Sequence, residues 1–174
     1  MSRAPKAKSK NPSLKKSNVR ARKVAKSACE VPVKTRKHNR AEYGSDAVVD
    51  MLRNYGFKYA FLNPGSSFSG LHDSLVNYNA NVQPKAILGL HEDVVTAMGQ
   101  GYATAAERPA LCILHNLVGL LHGTMGIFNM YCAGMPVLIL GGSGPSDPAL
   151  RGPVDYTHSA NTQGEAVRSY VKWD

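Results

Sequence analysis

Acidic residues are almost missing from the first forty positions, where fourteen Lys and Arg stand against Glu30 alone. The same stretch has no aromatic side chain and only scattered apolar ones. Such a segment cannot bury enough apolar surface to offset chain entropy, so residues 1–40 are expected to be a disordered basic tail. Cysteine is scarce as well. Cys29, Cys112 and Cys132 are odd in number and show no metal-ligand spacing. That excludes a disulfide scaffold and predicts buried free thiols in a reducing, cytoplasmic compartment. Long uninterrupted apolar runs are also lacking. The most apolar stretch, Leu117 to Leu140, is broken by glycines, His122, Asn129 and Pro136. A buried helix followed by a buried strand is expected there rather than a membrane span. No apolar segment follows the basic start, so no secretory signal is expected.

What remains is a globular part of opposite charge. The net charge of +9 is carried by the tail, because residues 41–174 hold seven Lys and Arg against eleven Asp and Glu. The whole chain of 174 residues suits one domain. About 130 folded residues can bury roughly two thirds of their unfolded surface, enough for a real core. The tail itself fits three descriptions. It is a solvated appendage, a polyanion-binding arm that meets nucleic acid through phosphate contacts, or a weakly amphipathic transit peptide.

From Arg40 onward, apolar periodicity defines the elements. Ala47, Val48, Met51, Leu52 and Tyr55 recur at helical spacing and Gly56 stops the helix. Tyr59 to Leu62 predicts a short strand, and Asn63-Pro64-Gly65-Ser66-Ser67 a turn. A helix is expected over 69–77, a strand over 85–90 and a helix over 92–107, ended by Arg108-Pro109. Ala110 to Leu114 predicts a third strand, 119–132 a helix, and Pro136 to Leu140 a fourth strand. On the 119–132 helix, Met125, Phe128, Met130 and Tyr131 are core-type residues, and His122 is expected to serve packing or an interface. A last amphipathic piece runs from Glu165 to Tyr170. Continuous apolar strands alternating with helices predict an α/β fold, a parallel sheet flanked by helices on both faces.

The unusual polar segments all follow strand ends: Asn63–Ser67, His91–Glu92, His115–Asn116 and Gly141–Ser146. Ligands of open parallel sheets bind at that edge, so four distant segments are expected to converge on one rim. Glu92 stands two residues past an apolar run, at the start of a helix. A helix macrodipole alone favours an acid there, so position leaves two readings, a structural acid and a ligand-binding one. The chain lacks G-x-G-x-x-G after the first strand, G-x-x-x-x-G-K-[ST], and a G-x-S-x-G elbow. His91 and His115 have no second pair of ligands at fixed spacing, so no metal site is expected in this chain by itself.

An ordered set of motifs resembles a known family. Leu62-Asn63-Pro64-Gly65-Ser66, Leu90-His91-Glu92, Gly99-Gln100-Gly101-Tyr102-Ala103, Leu114-His115-Asn116-Leu117-Val118-Gly119 and Pro136 to Gly142 occur in sequence. Together they resemble the N-terminal domain of thiamine-diphosphate-dependent enzymes of the 2-oxo-acid decarboxylase, acetolactate synthase and benzoylformate decarboxylase type. The resemblance covers about residues 42–174. It implies a pyrimidine-binding domain over 41–160, with 161–174 as the start of a linker. It implies that Glu92 hydrogen-bonds N1′ of the cofactor's aminopyrimidine and relays a proton there, with Pro64 and Gly65 beside the cofactor. Ser66 and His115 are implied to face a 2-oxo acid substrate, His115 also as a catalytic residue.

The resemblance has two departures. No adjacent His-His pair is present, as in pyruvate decarboxylases. The Gly-Pro-Gly-Ala-Thr-Asn run of acetolactate synthases is replaced by Leu117-Val118-Gly119-Leu120-Leu121-His122. The family's Gly-Asp-Gly…Asn segment, which holds diphosphate and Mg²⁺, is not found in these 174 residues. The resemblance thus implies a diphosphate-binding domain or subunit as partner, within a homo-oligomer. The stretch ending at Asp174 looks like the middle of a linker, so the chain is expected to be a fragment, a split subunit or an inert truncated product. The reading from a different class is a noncatalytic scaffold with a polyanion-binding tail.

Overall fold

The computed structural model describes residues 40–145, 147–153, 158–160 and 162–174. The expectation for the tail therefore lies, Arg40 apart, outside the described residues, as does Cys29. Four parallel strands form one sheet: β1 (Tyr59–Leu62), β2 (Lys85–Leu88), β3 (Ala110–Leu114) and β4 (Val137–Gly141), in the order β2-β1-β3-β4. Phe61 pairs with Ile87 on one side and Cys112 on the other, and Cys112 in turn with Ile139. The helices are α1 (Gly44–Asn54), α2 (Ser69–Asp73), α3 (Glu92–Ala106) and α4 (Leu117–Cys132). Short 3₁₀ turns at Gln163–Ala166 and Arg168–Tyr170 occupy the place of the amphipathic piece.

Successive side chains of a strand point to opposite faces, and the sheet divides its core accordingly. Ala60, Leu62, Leu111 and Ile113 pack with Val49 and Leu52 of α1, Phe68 and Leu75. Phe61, Cys112 and Leu114 pack with Val95 and Ala103 of α3 and Ile127 and Met130 of α4. Helices thus cover both faces, as expected for strands that are apolar at every position. Each fully buried Leu or Ile contributes about 1.5–3 kcal/mol. Leu62, Leu75, Leu111, Ile113 and Leu114 are such residues.

Element bounds follow the expectation closely, with α4 starting one half-turn early and the 69–77 helix completed by a π turn over Ser74–Tyr78. Helix faces differ more. In α1 the inward stripe is Asp46, Val49 and Leu52, while Val48, Met51 and Tyr55 are exposed. In α4 it is Gly119, Gly123, Ile127 and Met130. Met125, Phe128 and Tyr131 lie on the exposed side, correcting the expectation that all four large residues are core. The reason is close packing. Cβ atoms added at Gly99 and Gly126 would collide with Cys112 Sγ and Thr96 respectively. Glycine therefore lets α3 lie directly on β3 and α4 directly on α3, and turns the large α4 residues outward.

The thiols also divide. Cys112 is buried and donates to the Val95 carbonyl at 3.6 Å, whereas Cys132 is exposed at the end of α4, against expectation. Burial pushes the Cys112 thiol up from 9.0 to about 12. An alkylating reagent is expected to modify Cys132 in the native chain and to spare Cys112 until the chain unfolds, as read by peptide mass spectrometry. The folded state holds the Cys112 proton more tightly than the unfolded one. Its contribution to stability is fully present below about pH 9 and is lost as pH rises towards 12.

Candidate functional site

The β1, β2 and β3 carboxyl ends meet at Glu92. Its side chain is only 7% exposed although it opens α3. Gly89 N donates to Leu62 O at 2.8 Å, so the chain leaving β2 stays beside the end of β1. His91 then adopts extended backbone as the N-cap, its Nδ1 accepting from Asp93 N at 3.2 Å. That cap sets the direction in which α3 begins and turns Glu92 inward. From the β1 end, Asn63 Nδ2 donates to Glu92 Oε1 at 3.1 Å. From α4, Gly119 closes the third side, since a Cβ there would stand 3.0 Å from Glu92 Oε1 and 2.9 Å from His115 Cβ. The second oxygen, Oε2, faces His122 Nδ1 at 3.6 Å. Glu92 is therefore held on one oxygen and addressable on the other.

The remaining expected residues sit around this acid with separate partners. Gly65 lies flat against His115, whose imidazole occupies the space a Cβ at 65 would need. His115 Nδ1 is buried and has no hydrogen-bond partner among the described residues. Its ring stands 5.8 Å from that of His158. Pro64 and Ser66 are exposed on the turn. Ser67 rather than Ser66 ties this turn to β3, its Oγ accepting from Asn116 N at 3.2 Å. Gly142 packs on Ser67, where a Cβ would come within 2.5 Å of the Ser67 carbonyl oxygen. Gln163 Nε2 donates to Gly142 O at 3.1 Å. The four polar segments thus do converge on one rim.

Two neighbours of Glu92 are not evident from the sequence. Asn63 belonged to a turn motif, and its reach across to the β2 end is a tertiary fact. His122, expected to serve packing or an interface, has its half-exposed ring 4.8 Å from the His91 ring and beside Glu92. A signal existed in the spacing, because Gly119 and His122 fall at i and i+3 on the first turns of α4 and so share a face. A cavity of about 940 Å³ lies next to this rim, between β4, α4 and the C-terminal turns. His115, Asn116, Ile127, Ile139 and Tyr170 line it; Glu92 does not. The chemistry argues for the Glu92 rim as the reacting edge, because the cavity is mostly apolar.

A parallel α/β sheet that gathers a buried acid, an imidazole and glycine turns at its carboxyl edge defines a cofactor-binding domain of the open-sheet class. Comparison with known proteins narrows this. The model of the thiamine pyrophosphate enzyme N-terminal TPP binding domain matches residues 43–163, and the chain belongs to that family. Benzoylformate decarboxylase of Pseudomonas aeruginosa is 34% identical over 97 residues, 55% of this chain and 17% of that protein. Acetolactate synthase of Arthrospira platensis is 26% identical over 102 residues, 59% of this chain and 18% of that protein. The solved 4-hydroxybenzoylformate decarboxylase of Rhodococcus jostii, a thiamine diphosphate-dependent enzyme, shares the fold. Its TM-score is 0.63 at 24% identity, over 74% of this chain and 23% of that one. The chain spans less than a fifth of the length of the two curated relatives. Among the described residues, no helix is long and apolar enough to cross a membrane.

Proposed function

We propose that this chain supplies the aminopyrimidine half of a thiamine diphosphate site in an enzyme acting on a 2-oxo acid, as a decarboxylase or an acyloin-forming lyase or transferase. The observation that carries the reading is Glu92, a buried carboxyl with Oε1 held by Asn63 and Oε2 open toward the rim. Gly119 keeps a side chain off one flank of that carboxyl, since a Cβ there would stand 3.0 Å from Oε1. Bound thiamine diphosphate supplies an electron sink for the carbanion left when a 2-oxo acid loses carbon dioxide.

The chain's own residues have distinct roles in this reading. Glu92 holds a proton at N1′ of the aminopyrimidine and passes it back and forth as general acid and base. Asn63 fixes the rotamer of that carboxyl. Pro64 and Gly65 bring the β1 turn against the cofactor. Ser66 and His115 face the substrate, and His115 Nδ1, without a hydrogen-bond partner among the described residues, supplies a proton or binds the substrate carboxylate. The cavity beside His115 offers mostly apolar walls to the organic part of a substrate.

Diphosphate and Mg²⁺ are assigned to a diphosphate-binding domain, on this polypeptide or on another, within a homo-oligomer. Leu90, Val94, Val118, Leu121, Met125 and Phe128 support such a partner, being exposed apolar residues of α3, α4 and the loop before α3. Residues 41–160 form the pyrimidine domain and 161–174 lead onward, with Val167 buried and Tyr170 stacked edge-on to Phe128 at 5.2 Å. The free thiols support a reducing, cytoplasmic setting.

The test is reconstitution. Thiamine diphosphate and Mg²⁺ titrated into the chain alone are expected to give no saturable binding. Added to the chain together with a diphosphate-binding domain, they are expected to bind and to release carbon dioxide from a 2-oxo acid. A complex that forms and still leaves the cofactor unbound overturns the reading.

A further inference from the structure

We propose that His91, Glu92 and His122 form a site for a divalent transition-metal ion of the Zn²⁺ type, distinct from any Mg²⁺ that accompanies a diphosphate. One ligand atom from each of the three residues lies within 4.8 Å of the others. Two imidazoles and a carboxylate are a donor set that suits Zn²⁺ and leaves a fourth, open position. The hard, oxygen-seeking Mg²⁺ has little use for two nitrogens.

The geometry is close to what an ion requires. Zinc binds at about 2.0–2.1 Å, so neighbouring ligands of a tetrahedral site stand ~3.3 Å apart. His122 Nδ1 and Glu92 Oε2 are already 3.6 Å apart. The His91 and His122 rings lie 4.8 Å apart at 32°. Both histidines are half exposed, at 46% and 53%, so a small side-chain rotation closes the remaining distance without moving backbone.

Outer partners are in place too. Asn63 holds the carboxylate through Oε1 and leaves Oε2 for the ion. Asp93 Oδ2 lies 3.5 Å from His91 Nδ1. His91 Nδ1 accepts from Asp93 N as the helix cap, so Nε2 is the nitrogen left for a metal and gives up its proton when the ion binds. That backbone hydrogen bond fixes the orientation of the imidazole, as outer partners of metal-binding histidines do.

The three ligands come from the β2–α3 junction and from α4, so the ion would clip two neighbouring elements together. It would also occupy the one oxygen of Glu92 not committed to Asn63. Metal and aminopyrimidine would then exclude one another. This exclusion rests on the proposed function; the site itself does not.

The site is tested on the full chain with no cofactor present. Zn²⁺ is titrated calorimetrically, and Co²⁺ is followed by its visible d–d absorption. One equivalent is expected to bind, with an intense band of low-symmetry coordination. His122→Ala and His91→Ala, both at exposed positions and checked for folding by circular dichroism, are expected each to weaken binding by more than about tenfold. Cys132→Ser is expected to leave it unchanged. Absence of Zn²⁺ binding, or binding that either histidine variant leaves intact, overturns the proposal, as does loss of binding in Cys132→Ser. In the reconstituted complex, Zn²⁺ is expected to raise the apparent Kd for thiamine diphosphate, and in His122→Ala no longer to do so.

Discussion

Glu92→Gln is expected to slow turnover of the reconstituted complex by ~10²–10⁴-fold, about 3–5 kcal/mol of barrier, with little change in folding. The side chain is nearly isosteric, and its carbonyl oxygen can still accept the hydrogen bond that Asn63 Nδ2 makes at 3.1 Å. What disappears is the ability to hold and return a proton. Single-turnover measurement with saturating cofactor isolates that step, because any loss of cofactor affinity is then masked. A rate within a few-fold of the parent would show that the carboxyl is structural, the part that helix dipoles alone would assign to it. Asn63→Leu is the companion variant. It keeps the acid and releases its orientation, so a smaller loss is expected, restored in part by Asn63→Gln.

Asp46→Ala is expected to destabilise the fold by about 2 kcal/mol, lowering the thermal midpoint by roughly 7 °C. Asp46 sits in the first turn of α1 and is 1% exposed. Its Oδ2 accepts from the backbone N–H groups of Glu42 and Tyr43 at 3.1 and 3.2 Å. Its Oδ1 accepts from Ser74 Oγ at 2.7 Å, across to the segment that follows α2. One carboxylate thus satisfies two orphan amides at a helix start and links two elements on the same face of the sheet. Alanine removes the acceptor that caps the start of α1 and its tie to Ser74, whose hydroxyl keeps only Ser45 Oγ at 2.9 Å. Denaturant titration of the two forms checks the value. An unchanged slope with a lower midpoint would place the effect in stability rather than in the compactness of either state.

Asp46 shows where sequence reasoning stopped. Its neighbours Val48, Met51 and Tyr55 offer a plausible apolar stripe, and an acid in a first turn is ordinary on a surface. Only the partner Ser74, 28 positions away, reveals that the helix is rotated to bury 46, 49 and 52. The same ambiguity affects α4, which is apolar on more than one side, so periodicity could not choose the face that meets the core. The strands were legible for the opposite reason. Ala110 to Leu114 is buried at every position, and an unbroken apolar run of that length has one consistent home in a parallel sheet. The rim was legible too, because it needs only the rule that ligands gather at carboxyl ends. The pairing of Glu92 with Asn63 and His122 was not, since it depends on how far the start of α4 leans toward the start of α3. That lean is set by glycines whose importance is spatial.

Those glycines carry a consequence for any survey of substitutions along this chain. At Gly126 a Cβ would collide with Thr96, and at Gly99 with Cys112, so replacement separates helix from helix or helix from sheet. Growth-based selection would score both positions as intolerant as Glu92, although neither performs chemistry. The two kinds of intolerance part company when protein abundance is measured beside activity. Crowded glycines forfeit the amount of folded protein, whereas the acid forfeits the rate per folded molecule.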